Sequence, residues 1–532
     1  MIVIIFMMLI TILLTLNFVY MFYKIKKALL VYQQGGYSNV RFLNYIKKNY
    51  KYVYGINELL LIFFCCLCIY SPLFIILLII ISYYNLRFYN LNELKFKKKL
   101  GLKITSRIKR LILTLGFLFL FILILSFILL SKSNLEYNIF LIIYYNIFIL
   151  LIYFLFIFII IANFINIPIE KIIKKYYKVK AQKKLKNYDP LVIGITGSYG
   201  KTTTKNILYE LLSLYAPTLK SPESYNTVPG LCITIDKHLT KLHKYFIAEM
   251  GAYKNKEIEE LAKLVYPKIG IISNVGPQHL ETFKSIDNII KTKMELIENL
   301  PSNGLAILNY DNVYIKNYKI KNNVNVKWYS LNNNKADIYV ENVKYKNNGM
   351  HYTICYNHKK YDVKSKLLGK YNITNTLASL LVIDFLGYDI EKAILNLNKL
   401  KPVKHRLELK QINENTIIID DAFNANVDGI KESIDILSTY DKTKRILITP
   451  GLIDLGKEQE NVHIEIGKYL SDRIDELYII GNYNKKAILS GMTDEKIKVN
   501  CKDNFIDAYY EVINKKENKT ILIANDLPDK FN

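Results

Sequence analysis

The chain has 532 residues, a hydrophobic fraction of 51% and a formal net charge of +26. The length leaves room for several domains, and the apolar fraction is too high for a chain that is soluble from end to end. The charge does not indicate nucleic acid as a partner, because much of it lies beside apolar segments, as at Lys95, Lys97, Lys98, Lys99, Lys103, Arg107, Lys109 and Arg110, where the positive-inside rule accounts for it.

Four apolar stretches fill the first third: Ile2 to Tyr23, Leu59 to Tyr84, Leu111 to Ser131 and Ile139 to Pro168. Each is long enough to cross a hydrocarbon core of about 30 Å. The first lacks a basic leader and a small-residue cleavage site, so it reads as retained. The loops Lys24 to Asn57 and Asn85 to Arg110 are both basic, which conflicts with a single crossing between them. Pro72, midway through the second stretch, also permits a re-entrant hairpin, and both topologies stay open. Lys171, Lys174, Lys175, Lys178 and Lys180 place the exit of the last stretch in the cytoplasm. Residues 1–187 therefore read as a membrane region with three or four transmembrane segments, surrounded by membrane lipid in a plasma membrane of bacterial type. The scattered cysteines indicate neither a zinc site nor a disulfide framework.

Asp189-Pro190 introduces a change of pattern. Short apolar runs at Leu191 to Thr196, Tyr245 to Met250, Ile269 to Asn274, Thr416 to Asp421, Arg445 to Thr449, Glu476 to Ile480 and Thr520 to Ala524 alternate with helical patterns, which predicts an α/β fold with mostly parallel sheets. A helix is predicted over Ile373 to Gly387, and the Asn/Lys-rich stretch from Lys316 to Lys335 reads as loop. A second boundary near Lys401-Pro402 divides this part into residues 188–400, a P-loop domain, and residues 401–532, a Rossmann-like α/β domain.

The run Gly194-Ile195-Thr196-Gly197-Ser198-Tyr199-Gly200-Lys201-Thr202-Thr203-Thr204 joins a predicted strand to a predicted helix. Backbone N–H groups of such a loop wrap phosphates, the helix N-terminus adds its dipole, Lys201 reaches the β and γ phosphates, and the Thr202 hydroxyl holds Mg²⁺. Five residues rather than four separate Gly194 from Gly200, a departure from the generic P-loop. Taken singly, Glu249 reads as a salt-bridged carboxylate, His279 as a loop histidine and Lys293 as a solvated lysine of an amphipathic helix.

In this order, however, the residues resemble the Mur ligases, which add amino acids or peptides to cell-wall precursors. Thr-Gly-Ser-x-Gly-Lys-Thr-Thr is similar to the nucleotide loop of that family, Ala248-Glu249-Met250-Gly251-Ala252 to its magnesium-binding glutamate segment, and Ser273 to Leu280 to its Asn-Val-Gly-x-x-His-Leu segment, in which His279 would serve a second metal. Lys293, in Lys-Thr-Lys-Met-Glu, falls where the family carries a carbamylated lysine; it is preferred to the neighbouring Lys291 because Glu295 then matches the family's Lys-x-Glu. Asn309 lies in a segment like the family's Leu-Asn-x-Asp-Asp strand end. Asn372 and Asn375 lie in a segment like its nucleotide-contacting helix start, with Tyr371 replacing a histidine. Arg406 sits in an element like the one that brings an arginine to the ATP phosphates, and Asp420-Asp421-Ala422-Phe423-Asn424-Ala425-Asn426 resembles the signature of the branch that adds D-alanyl-D-alanine to UDP-N-acetylmuramoyl-tripeptide.

The resemblance implies an ADP-forming ligase that works through an acyl phosphate, with ATP and two Mg²⁺ sites. Gly197, Ser198, Tyr199, Gly200, Lys201, Thr202, Thr203, Asn309, Asn372, Asn375, Arg406, Asp420 and Asp421 would hold the nucleotide. Thr202, Glu249, His279 and carbamylated Lys293 would hold the metals. A cell-wall precursor would be the acceptor and an amino acid or dipeptide the donor. The resemblance covers residues 189 to about 525. Besides Tyr371 it departs in three places: the membrane region stands where the branch has a UDP-binding domain, Val427 replaces a proline, and Ala524 to Asp529 replaces a Lys-Gly-Ser element. A poly-γ-glutamate type synthetase and, from another class, a membrane P-loop ATPase or scaffold are the competing readings.

Overall fold

The computed structural model describes the chain except for residues 1, 72, 96–100, 134, 224, 278–279, 347–348, 424–425, 454, 456–457 and 526–532. It divides into two compact units, 1–173 and 174–532.

The first unit is helical, with principal helices Ile2–Gln34, Asn39–Lys48, Ile56–Leu67, Phe74–Lys95, Ser106–Ser131, Tyr137–Tyr153 and the start of Leu155–Tyr188. Three helices are long and apolar enough to cross a membrane: Ile4–Gln34, Ser106–Ser131 and Leu155–Tyr188. The stretch Leu59 to Tyr84 is not one helix but two shorter ones, Ile56–Leu67 and Phe74–Lys95, packed together through Leu61, Cys65, Ile75 and Leu78. Pro72 lies in the interval between them and outside the described residues. The stretch Ile139 to Pro168 is likewise interrupted, at Phe154, and Pro168 sits within the final helix rather than ending it.

Buried polar groups cross-link these helices. Glu58 accepts from Tyr20 Oη at 2.7 Å and pairs with Lys24, both ionic side chains being 1% exposed. Asn17 donates to Ser82 Oγ at 3.0 Å and Tyr145 Oη at 3.1 Å.

The second unit holds two sheets. The first comprises β1 (Leu191–Thr196), β2 (Thr218–Lys220), β3 (Tyr245–Glu249), β4 (Ile269–Ile272), β5 (Leu305–Asn309), β6 (Asn325–Ser330), β7 (Ile338–Lys346), β8 (Gly349–Tyr356) and β9 (Lys359–Ser365), in the order β2-β3-β1-β4-β5-β6-β7-β8-β9. β1 to β7 pair in parallel, and β7, β8 and β9 form an antiparallel meander. The second comprises β10 (Glu408–Asn413), β11 (Thr416–Asp421), β12 (Lys444–Thr449), β13 (Glu476–Ile480), β14 (Lys498–Lys502) and β15 (Lys519–Ala524), in the order β10-β11-β15-β12-β13-β14, parallel except for β10. The central strands are near-continuous apolar runs because helices cover both faces of a parallel sheet.

The seven predicted strands are present, within two residues at their ends. The stretch from Lys316 to Lys335 is not all loop: it contains β6, whose sequence Asn-Val-Lys-Trp-Tyr-Ser gains its place at the sheet from Tyr329, which is fully buried. Ala181 and Leu185, in the basic segment that follows the last apolar stretch, pack into the core of the nine-stranded half.

Candidate active site

The strand order reverses at β1, whose neighbours are β3 and β4, so a crevice opens at the carboxyl ends of these three strands. The loop 197–200 lies there and leads into the helix Lys201–Leu212. Its tightness requires glycine: Gly197 (φ +151°) and Gly200 (φ +85°) are left-handed, and a Cβ at Gly197 would collide with Ser273 Oγ. Ser198 Oγ exchanges hydrogen bonds with Gly276, donating to its carbonyl at 3.0 Å and accepting its N–H at 3.1 Å, so the loop is braced from the end of β4. Lys201 Nζ folds back onto the carbonyls of Gly197 (2.7 Å) and Ser198 (3.1 Å). Withdrawal from water lowers its pKa to about 8, with Glu249 opposing and Arg406 reinforcing the fall. Thr203 is buried in the first helical turn.

Glu249 ends β3 with its carboxylate inside the crevice, 1% exposed. Thr202 Oγ1 (3.2 Å) and Asn226 Nδ2 (3.1 Å) donate to Oε1, and Lys205 Nζ lies 2.9 Å from Oε2. Burial by itself would raise this carboxyl's pKa, but Lys205 and Lys201 hold it below the usual value. It is therefore an anion at neutral pH. Oε2 is held by Lys205 in an ion pair without a hydrogen bond of good geometry, and the Thr202 hydroxyl lies on the neighbouring Oε1. Two hard oxygens so placed suit Mg²⁺.

The helix Ile286–Glu298 is capped by Ser285, whose side chain accepts the N–H of Asn288. Its buried face carries Ile289, Lys293, Leu296 and Ile297, so Lys293 occupies a core position, 3% exposed, whereas Lys291 is exposed. Burial first, and the charge of Lys201 second, lower the Lys293 pKa to about 7. Glu295 accepts the N–H groups of Lys256 (2.7 Å) and Glu259 (3.0 Å), capping the helix Glu257–Val265. As an amine Lys293 is no metal ligand; as a carbamate it would offer two oxygens. His279 lies outside the described residues.

The helix Lys370–Phe385 brings two asparagines. Asn375 Oδ1 accepts from Thr204 Oγ1 at 2.9 Å and stands 3.0 Å from where a Cβ on Gly200 would be. Asn372 Nδ2 donates to Leu368 O at 2.6 Å, a local bond within the approach to the helix. Asn309, 5% exposed at the end of β5, accepts from the N–H of Asp311 at 3.0 Å and donates to Ser273 O at 3.4 Å.

From the six-stranded half comes Arg406. It is close enough to Glu249 and Lys201 to share their electrostatics, and burial lowers its pKa. Its turn is fastened by Asp421, 3% exposed, which accepts the N–H of Leu407 at 3.1 Å and the hydroxyl of Ser433 at 2.5 Å. That carboxylate is thus committed to positioning the Arg406 turn. Asp420 Oδ2 receives His405 Nδ1 at 2.8 Å and Lys410 Nζ at 2.6 Å. His405, Glu408 and Asp420 have ligand atoms within 4.8 Å of one another, but Lys410 pairs with both carboxylates and already supplies the cation there. The structure thus gathers Lys201, Thr202, Glu249, Asn375 and Arg406 at one crevice, with Lys293 in its electrostatic field. Sequence reasoning missed Lys205 and Asn226. The i, i+4 spacing of Lys205 from Lys201 is a visible signal, while the approach of Asn226 depends on tertiary folding alone.

A P-loop at the switch point of one α/β sheet, faced by an arginine from a second, defines a class of two-sheet P-loop proteins. Comparison with known proteins narrows it. Residues 195–383 match the Mur ligase middle domain and residues 405–525 the Mur ligase glutamate ligase domain. A UDP-N-acetylmuramoyl-tripeptide:D-alanyl-D-alanine ligase of Haemophilus influenzae is 29% identical over 309 residues, 57% of this chain and 66% of that protein. A ligase of the same name from Buchnera aphidicola of Acyrthosiphon pisum is 30% identical over 344 residues, 64% of this chain and 74% of that protein. The MurF ligase of Thermotoga maritima in complex with ADP superposes with a TM-score of 0.61 at 25% identity, over 67% of this chain and 81% of that one. The chain belongs to the Mur ligase family. It spans just under two thirds of the length of the Haemophilus relative.

Proposed function

We propose that the protein is an ATP-dependent, ADP-forming amide-bond ligase that extends a cell-wall peptide precursor, with residues 188–400 as ATP-binding domain and 401–532 as the domain that closes on it. The observation that carries this reading is the convergence on one crevice of Lys201 and Thr202 from the helix after β1, Glu249 from the end of β3 and Arg406 from the turn before β10. The acceptor carboxylate attacks the γ-phosphorus of ATP, releasing ADP and forming an acyl phosphate; the donor amine then attacks the acyl carbon and phosphate leaves. Lys201 and Arg406 neutralise the charge that builds on the transferred group, and Asn375 holds the loop at the required distance. Mg²⁺ at Thr202 and Glu249 would neutralise phosphate charge when bound. Asn309, Asn372 and Asp420 are proposed to line the nucleotide's base and ribose.

With a pKa of about 7, much of Lys293 is neutral amine at physiological pH. That is the form able to attack CO₂, giving a carbamate and releasing a proton. The carbamate, with His279, is proposed to hold a second Mg²⁺. The three long apolar helices are proposed to cross the plasma membrane and leave the second unit in the cytoplasm. The acceptor is then UDP-N-acetylmuramoyl-tripeptide or a lipid-linked relative, and the donor D-alanyl-D-alanine.

The test is to incubate the full chain in detergent micelles with ATP, Mg²⁺, UDP-N-acetylmuramoyl-tripeptide and D-alanyl-D-alanine. Expected is ADP release matched by a new amide in the mass spectrum. ATP hydrolysis indifferent to both peptide substrates would favour an ATPase instead.

A further inference from the structure

The helix Val427–Ser438 of the six-stranded half meets the nine-stranded half at two points one turn apart. Asp428 Oδ2 accepts from Tyr199 Oη, in the phosphate loop, at 3.3 Å. Four residues on, and so on the same helix face, Glu432 Oε1 accepts the backbone N–H of Lys370, the first residue of the helix that carries Asn375. That helix has no side-chain cap of its own, because its N-cap is Gly369, held at φ +95°. The free N–H groups and positive dipole end of one domain's helix are thus met by a carboxylate of the other.

Glu432 is 9% exposed, and its Oε2 accepts no hydrogen bond of good geometry although the Tyr345 hydroxyl lies beside it. A buried carboxylate needs compensation, and the groups that supply it here, the N–H groups of Lys370 and Tyr371 and the Tyr345 hydroxyl, all belong to the nine-stranded half. The contact also adjoins the reactive parts. Leu407, next to Arg406, closes over Gly369, where a Cβ would lie 2.6 Å from its Cδ1. One turn beyond Lys370, Asn375 holds Thr204 and borders Gly200.

We propose that Asp428 and Glu432 form a closure latch, two positioning residues that hold the Arg406-bearing half against the phosphate loop. The inference rests on the nucleotide-site reading given above. Burial, reinforced by Asp421 and opposed by the N–H groups of Lys370 and Tyr371 and the charge of Lys370, raises the Glu432 pKa to about 7. The groups that face it are Lys370 and Tyr371 on the helix, Tyr345 on β7 and Asp421 on β11. In an opened state the carboxyl regains water and its usual pKa, so closure takes up a proton and the latch should loosen as pH rises towards 7 and above.

The test uses the full chain in detergent micelles, with ADP and Mg²⁺ binding followed by calorimetry and the distance between spin labels at the exposed positions Lys366 and Lys496 followed by electron resonance. The native cysteines that would compete for label, Cys66 and Cys501, are replaced first. Expected are an ADP affinity about tenfold weaker for Glu432→Ala, about threefold weaker for Asp428→Asn, and a longer, broader distance distribution for both. Glu432→Gln keeps an acceptor oxygen and should stay within about threefold of wild type at pH 7 while losing the pH dependence of affinity between pH 6 and 8. Folded variants with wild-type ADP affinity and distances overturn the latch, as does a lowered melting temperature with neither readout changed. Should Glu432→Ala fail to fold, the exposed Asp428→Asn decides by the same criteria. A wild-type protein that binds no ADP would sink the nucleotide-site reading, and the distance measurement still supports or overturns the latch.

Discussion

The two units use buried polar groups in opposite ways. In the helical unit they are spread out as pins between helices, as with Glu58 between Tyr20 and Lys24 or Asn17, whose Nδ2 bonds Ser82 and Tyr145 while its Oδ1 stays unsatisfied. In the α/β unit they converge on one crevice and retain unspent capacity: Glu249 has an oxygen without a good hydrogen bond, Lys293 a perturbed amine, and Lys201 only its own loop to hold. Pins fix one helix against another, whereas convergence with unspent capacity prepares for a ligand.

The contrast is broken most severely at Lys201. Lys201→Ala should lower ATP turnover by about 10³-fold or more with little change in melting temperature, because the ammonium touches loop carbonyls and not the core. Near wild-type turnover in a steady-state ADP assay would remove the phosphate-loop assignment. Lys293→Ala should cost about 10²-fold, unrelieved by bicarbonate and partly rescued by short carboxylic acids that occupy the vacated space. Full activity of that variant excludes the carbamate.

At the pins the expected effect is on stability. Glu58→Ala, which leaves Lys24 buried without its partner, should lower the unfolding free energy of the helical unit by about 3–5 kcal/mol, while replacing both Lys24 and Glu58 with Met should be close to neutral. Unfolding in mixed micelles measures this, and ADP binding should not change; a change would mean that the first unit serves the site directly.

A smaller effect separates the two buried ionisable groups of the second unit. Glu432 has a folded pKa above its usual value, so the folded state binds the extra proton between pH 4.5 and about 7, and its contribution to stability falls as pH rises through that window. Lys293 has a folded pKa below its usual value, so the unfolded state binds the extra proton between about 7 and 10.5, and stability rises there. Thermal unfolding from pH 5 to 10 in buffer free of CO₂ and bicarbonate, where Lys293 is the unmodified amine, should therefore show a minimum near pH 7, which Glu432→Gln makes shallower from the acid side. The smallest effect is expected from removing residues 1–173, which should leave ADP affinity within about twofold, since Ala181 and Leu185 stay with their core.

The sequence by itself determined the two kinds of architecture and the phosphate loop. Apolar length marks a helix long enough to cross a membrane, alternating short apolar runs mark parallel strands, and the glycines of 197–200 are demanded by local backbone geometry. It was also enough for the order of Lys201, Glu249, Lys293 and Arg406, because these lie in contiguous motifs. The register with Glu295 points to Lys293 rather than Lys291, but both fit an amphipathic helix, and that Lys293 is buried and Lys291 exposed was decided by the tertiary structure. It alone decided that Leu59 to Tyr84 is two packed helices, that β6 crosses an Asn/Lys-rich stretch, and that Asp421 braces the turn beside Arg406. It alone placed Asn226, Asp428 and Glu432, whose partners are 23, 229 and 62 residues away in the chain. Periodicity and motif report a residue's local surroundings; a contact across two sheets becomes visible only when the sheets have packed.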